Sequence, residues 1–141
     1  MKLRRWFRVA AIFLLLNAAW EVVQLPLYTL WHGGTWGEIT FAIIHCTAGD
    51  LLIGLAVAAI SIGVIWLAGG FPDARSRMFL FMFLGLGMSY TVFSEWLNVH
   101  VRESWAYTDQ MPVVPILGTG LSPLLQWLVV PVLTWLLARR P

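Results

Sequence analysis

Asn17-Ala18-Ala19-Trp20-Glu21-Val22-Val23-Gln24 lies inside an apolar run that extends from Phe7 to Leu30. A run of about 24 residues is long enough to cross roughly 30 Å of hydrocarbon as a helix. Yet this one carries a carboxylate near its middle, flanked by two amides and an indole. At 100° per residue Asn17, Trp20, Glu21 and Gln24 fall within an arc of about 100°, which makes one polar stripe on a greasy cylinder. Ionisable groups at membrane depth face a protein interior or a wet cavity. The remaining chain must therefore supply what this stripe faces.

Composition agrees with a membrane setting. Of 141 residues, 60% are apolar and 11% charged, against about 25% charged in a soluble domain. The net charge of +2 does not mark a nucleic-acid patch. Lys2, Arg4, Arg5, Arg8, Arg75, Arg77, Arg139 and Arg140 flank apolar spans at one side, and Arg102 alone falls on the other. That is the positive-inside pattern. The opening Met1–Arg8 with Val9–Leu16 has the form of a signal peptide, but the apolar run continues past any cut after Ala18 or Ala19, and it reads better as a cytoplasmic anchor. The lone Cys46 excludes an intramolecular disulfide.

Working outward, spans are expected over about 7–30, 39–67, 78–99 and 123–138. This is an all-α polytopic membrane protein with four transmembrane helices in one domain, 1–141, both termini inside, in a bacterial inner membrane. Pro26 marks the outer end of the first span. Thr35 and Glu38 have capping-box spacing at the start of the second. Gly54 to Gly63 is rich in small residues that permit close helix approach. Ser122-Pro123 reads as an N-cap followed by proline at the first helical position, so the last span is short. Residues 113–121 would then dip in above it. Trp6, Trp66 and Trp135 belong to the inner interface, and Trp31, Trp36 and Trp105 to the outer one.

With that topology Glu21, Gln24, His45, Asp50, Glu95, Asn98, Ser122 and Gln126 all fall in the outer half, which predicts one polar cavity there under the Trp105/Tyr107 loop. Thr91, Ser94, Glu95 and Asn98 repeat the spacing of Asn17, Trp20, Glu21 and Gln24 at an offset of 74, and Gly49–Ile53 resembles Ser122–Gln126 at 73. The pattern suggests a two-plus-two parallel repeat that sets Glu21 opposite Glu95.

Glu21, Asp50 and Glu95 have no lysine or arginine within the membrane to pair with. Carboxyls so placed serve as general acid, proton carrier or interhelical hydrogen-bond partner. The catalytic candidates are Glu21 and Glu95 as acid–base groups, with His45 as a second proton carrier. The binding candidates are Asn17, Trp20, Gln24, Asp50, Asn98, Arg102, Trp105, Tyr107, Ser122 and Gln126. His45 lies about 140° around its helix from Asp50, so it forms no local ligand pair. It reads as a buried, hydrogen-bonded histidine more readily than as a metal ligand, and the sequence names no cofactor. Gly118-Thr119-Gly120 before Ser122 offers either an anion cradle at a helix start or an ordinary cap.

Two functional classes compete. One is a lipid-binding protein that acts on a lipid or isoprenoid-like substrate by proton transfer. The other is an accessory subunit of a membrane complex, or an oligomer, with a proton or cation carrier as a weaker variant because the inner half lacks a polar path. The segments Trp20-Glu-x-x-Gln-x-Pro-Leu-Tyr28, His45-Cys-x-x-Gly-Asp50, Ser94-Glu-x-x-Asn98 and Gly120-Leu-Ser-Pro-Leu-Leu-Gln-Trp127 resemble, over the whole chain, a family of small bacterial integral membrane proteins without an assigned activity. The resemblance implies a membrane location and no reaction.

Overall fold

In the computed structural model, which describes residues 2–71, 73 and 76–139, four long helices form an up-and-down bundle. They are α1 (Lys2–Gln24), α3 (Trp36–Leu67), α4 (Arg77–Glu95) and α5 (Leu121–Ala138), and a single turn, α2 (Leu30–Gly33), sits between the first two. All four long helices, the first taken on through Leu27 and the third through Val101, are long and apolar enough to cross a membrane. The chain is an all-α multi-pass membrane protein.

Local chemistry sets the helix ends. Pro26 stops α1, which tightens into a 3-10 turn at Leu25–Leu27 instead of running to Leu30. The Thr35/Glu38 capping box is formed as expected: the Thr35 hydroxyl accepts from the Glu38 N–H, and the Glu38 carboxylate accepts from the Thr35 N–H at 2.8 Å. Ser76 caps α4 through the N–H of Phe79 at 3.0 Å. The expected Ser122 cap is not made. Gly120 occupies the N-cap, and the Ser122 hydroxyl instead donates across to α1. Beyond Glu95 the helix widens into one π turn, Trp96–Val101. Such turns insert an extra residue and re-aim the side chains that follow. Arg75 and Arg140, part of the charge pattern, lie outside the described residues.

The helices form a ring in the order α1–α3–α4–α5, and the diagonal pairs meet only through side chains, such as Phe13 with Phe83 and Gln126 with Asp50. Equivalent positions recur across those diagonals. Phe13, Asn17 and Glu21 are buried on α1, and residues 74 further on, Gly87, Thr91 and Glu95, are buried on α4. Gly54, Val57, Ser61 and Ile65 are buried on α3, and 73 further on Trp127, Val130, Thr134 and Ala138 are buried on α5. The packing is reciprocal. A Cβ on Gly54 would meet the Phe13 ring at 2.7 Å, and one on Gly87 would meet Trp127 at 2.3 Å. Ring and glycine have exchanged helices between the two halves. Buried back-bonding recurs too, from Asn17 Nδ2 to the Phe13 carbonyl and from Thr91 Oγ1 to that of Gly87.

The core cluster of Phe13, Val57, Ile65, Phe79, Phe83, Trp127 and Val130 fills the half of the bundle toward the N-terminus of α1. Arg5 meets Asp73 at that end, at 3.7 Å. That half is not purely apolar, since Ser61 and Thr134 are buried in it. The Ser61 hydroxyl returns to the Val57 carbonyl, while Thr134 Oγ1 is a buried atom without a partner.

At the opposite end the connection between α4 and α5 is tied down by backbone bonds. Thr29 N–H donates to Ala106 and Thr108 N–H to Leu27, both at 2.9 Å, which joins residues 27–29 to 106–108. A two-residue hairpin, β1 (Val113–Val114) with β2 (Thr119–Gly120), caps α5 and buries Met111 and Thr119.

Candidate functional site: an acidic cavity in one half of the bundle

Between Ile39 and Gly54 no side chain of α3 is buried. Along that stretch the helix faces a cavity of about 1080 Å³ that opens among α1, α3, α4 and the connection to α5. That is the size of a site for a large ligand. Nine of the thirteen candidate residues line it: Glu21, Gln24, His45, Asp50, Glu95, Asn98, Arg102, Trp105 and Gln126. Asn17, Trp20, Tyr107 and Ser122 do not line it and stand behind it.

The floor is one hydrogen-bond network joining three helices, with Gln126 of α5 at its centre. Gln126 Nε2 donates to Glu21 Oε1 (2.9 Å), Asp50 Oδ2 (2.8 Å) and Asn17 Oδ1 (3.0 Å). Two hydrogens serve three acceptors, so Glu21 and Asp50 are held within two hydrogen-bond lengths of one another. Gln24 Nε2 donates to Glu21 Oε1 (2.9 Å) and to Gln126 Oε1 (3.1 Å). Its own carbonyl accepts from the Ser122 hydroxyl (2.8 Å), which accepts in turn from the Trp20 indole at 3.3 Å. Asn17 is 1% exposed and lies beneath the cavity, whereas Gln126, 2% exposed, forms part of its lining.

Glu95, equivalent to Glu21 by register, has a different partner. The Tyr107 phenol donates to Glu95 Oε2 and accepts the Gly120 N–H at 3.0 Å. Burial, together with the adjacent carboxylate, pushes the Tyr107 phenol well above its ordinary range, so it remains a donor. The Tyr28 ring packs edge-on against Tyr107, with centroids 5.5 Å apart. Asn98 turns back to the Ser94 carbonyl at 2.9 Å.

Two expectations change. His45 is exposed in the cavity wall and stacked on Phe41 at 5.4 Å, not buried in a hydrogen bond. The anion cradle before α5 is filled from within. The Gly118 N–H goes to Val114, that of Gly120 to Tyr107, and that of Leu121 to Pro112. Among the described residues no group of three His, Cys, Asp or Glu side chains is arranged to hold a metal ion.

The cavity also takes in residues that sequence reasoning passed over. Tyr28 and Trp127 line it, as do Glu38 and Glu103 at its margins. Trp127 could have been found from the repeat, because Gly87, the register counterpart of Phe13, leaves the space its ring needs. Tyr28 gave no such signal, since its position depends on the pairing of 27–29 with 106–108. No protein family, curated protein or solved structure matches the chain.

Proposed function

We propose that this is a bacterial inner-membrane protein with both termini cytoplasmic, which binds a lipid or isoprenoid-like molecule in its outward half and acts on it by acid–base chemistry. The orientation rests on the basic residues, which sit at the N-terminal end of α1, at the start of α4 and at the end of α5. The observation that carries the reading is the cavity itself. Carboxyl groups from three helices meet in a space bounded by Phe41, Ile53, Tyr90 and Trp127, where membrane proteins rarely place ionisable groups without a use for them.

Two differently tuned centres favour proton transfer. Glu21 and Asp50 share amide donors, while Glu95 is coupled to a phenol. Carboxyls in unlike surroundings divide into acid and base roles. A proton-carrier role is less well supported, because the Phe13, Phe83 and Trp127 rings pack together below the floor.

The test is to purify wild type and Glu21→Gln with their native lipids, incubate both in D₂O, and analyse the extracted molecules by mass spectrometry. The expected result is a specific retained molecule that gains carbon-bound deuterium with wild type and not with the variant. A specific molecule without exchange would leave a binding or accessory subunit. Lipid in the proportions of the surrounding membrane, with no species enriched, would refute the reading.

A further inference from the structure

The hydrogen-bonding capacity left over in the cavity constrains the ligand more than its volume does. The amide donors of the floor are committed. Gln24 and Gln126 donate to Glu21, Asp50, Asn17 and each other, and Asn98 donates to Ser94. Glu21 and Asp50 also interact directly, carboxyl to carboxyl, and the Trp105 indole approaches Glu95. What the floor presents is a cluster of three carboxyl groups, in a wall that also carries Tyr28, Trp105 and Trp127. An ammonium brings three donors and a positive charge, and aromatic faces add cation–π attraction. An alcohol brings one donor and no charge.

The mouth has the opposite character. Arg102, exposed at the rim, is the only lysine or arginine lining the cavity and makes no ion pair among the described residues. Three residues on, the buried Trp105 indole lies toward Glu95, between mouth and floor. The guanidinium is a donor suited to an anionic oxygen. From floor to mouth the cavity therefore runs from carboxyl groups to a cation. On its α3 and α4 sides the wall mixes Phe41, Ala42, Ile53 and Tyr90 with polar groups, and α3 buries no side chain from 40 to 53.

We propose that the ligand is a zwitterionic aminophospholipid, held with its ammonium among Glu21, Asp50 and Glu95, its phosphate at Arg102, and its acyl chains leaving between α3 and α4. This rests on the lipid-binding part of the function proposed above and names the class of lipid. It also accounts for a cluster of carboxyls at membrane depth without a protein cation, since the ligand supplies one.

The experiment is native mass spectrometry of the delipidated full chain in detergent, titrated with phosphatidylethanolamine, N-acetylated phosphatidylethanolamine, phosphatidylglycerol or geranylgeraniol. Phosphatidylethanolamine is expected to bind at one per chain, at least tenfold tighter than the other three. Arg102→Gln, at an exposed position that leaves the bundle intact, should weaken it about tenfold, the scale of one charge-assisted contact. Glu95→Gln, checked for folding by circular dichroism, should erase the preference over the N-acetylated form. Equal binding of phosphatidylglycerol or the N-acetylated lipid would overturn the proposal. Preferential binding of geranylgeraniol would overturn it too, yet leave the broader lipid reading standing. No one-to-one binding of any probe would refute both.

Discussion

Replacing Gln126 by leucine tests whether the floor network holds the bundle together. The side chain volume is nearly kept, so the change removes hydrogen bonds rather than packing. Among the described residues Gln126 Nε2 alone makes a hydrogen bond of good geometry to Asp50 Oδ2 and to Asn17 Oδ1, whereas Glu21 Oε1 keeps Gln24. Two acceptors are orphaned, and an unsatisfied buried group costs about 1–3 kcal/mol. Asp50 borders the cavity and water can reach it, so the larger share falls on Asn17, which is 1% exposed. Interhelical hydrogen bonds in membrane proteins average about 0.6 kcal/mol, because the unfolded chain in the bilayer also finds partners. Four lost bonds, the one accepted from Gln24 included, then give about 2.4 kcal/mol, at the lower end of the first estimate, and a destabilisation of about 2–3 kcal/mol is expected. Equilibrium unfolding in mixed micelles of increasing denaturing detergent would measure it. A double-mutant cycle with Asn17→Ala should show a coupling of about 1 kcal/mol, since each change removes the same bond. If Gln126→Leu unfolds within about 0.5 kcal/mol of wild type, the network contributes no net stability and this reasoning fails.

Three further outcomes follow from the packing and the loop. Gly87→Ala drives a methyl into the Trp127 ring and should cost about 1–3 kcal/mol in the same assay; Trp127→Phe in that background should recover part of the loss. Tyr107→Phe removes a donor to Glu95 and the acceptor for Gly120, so faster amide hydrogen exchange is expected across 106–120, with α1 and α3 unchanged. Tyr28 and Tyr107 are both raised by burial. Because the folded value lies above the unfolded one, near 10, their contribution to stability is whole below about pH 10 and falls above it, as the unfolded chain ionises first. Native protein at about pH 11 should show less tyrosinate absorbance than unfolded protein, and Tyr107→Phe should remove one tyrosine from the resistant class.

The four spans, the Thr35/Glu38 cap and the polar cavity in the half of the bundle away from the termini were legible in the sequence because each rests on local pattern: apolar length, capping spacing, and polar residues sorted to one end. Glu21, Asp50 and Glu95 were legible for the same reason, since charge at membrane depth is rare. What sequence could not supply was the partner of each group. Ser122 has the spacing of a cap, but a hydrogen bond to Gln24 on another helix won over its own helix start. Gly120 took the cap, and its N–H was claimed by Tyr107, thirteen residues back. His45 looked buried by position, but its side of α3 faces the open cavity at that depth. Each of these outcomes depends on long-range geometry that no local window contains.

The register match between halves also explains why there is one cavity and not two. Phe13, Asn17 and Glu21 correspond to Gly87, Thr91 and Glu95, and Gly54 through Ile65 correspond to Trp127 through Ala138. The correspondence stops where α5 begins. The outer part of α3, residues 36–47, falls by the same offset on residues 109–120, which are not helical but contain the β1–β2 hairpin. There the chain folds back over the bundle end and buries Met111, Thr119 and Gly120. On the other side the extended helix faces the cavity and leaves its half open. Glu95 is therefore met by a loop phenol, and Glu21 by the amides of its own helix and α5. Two carboxyls that began in equivalent positions acquire different surroundings from this one difference. Shortening α3 at its outer end would not close the cavity, because what closes the other half is a hairpin and not the absence of helix.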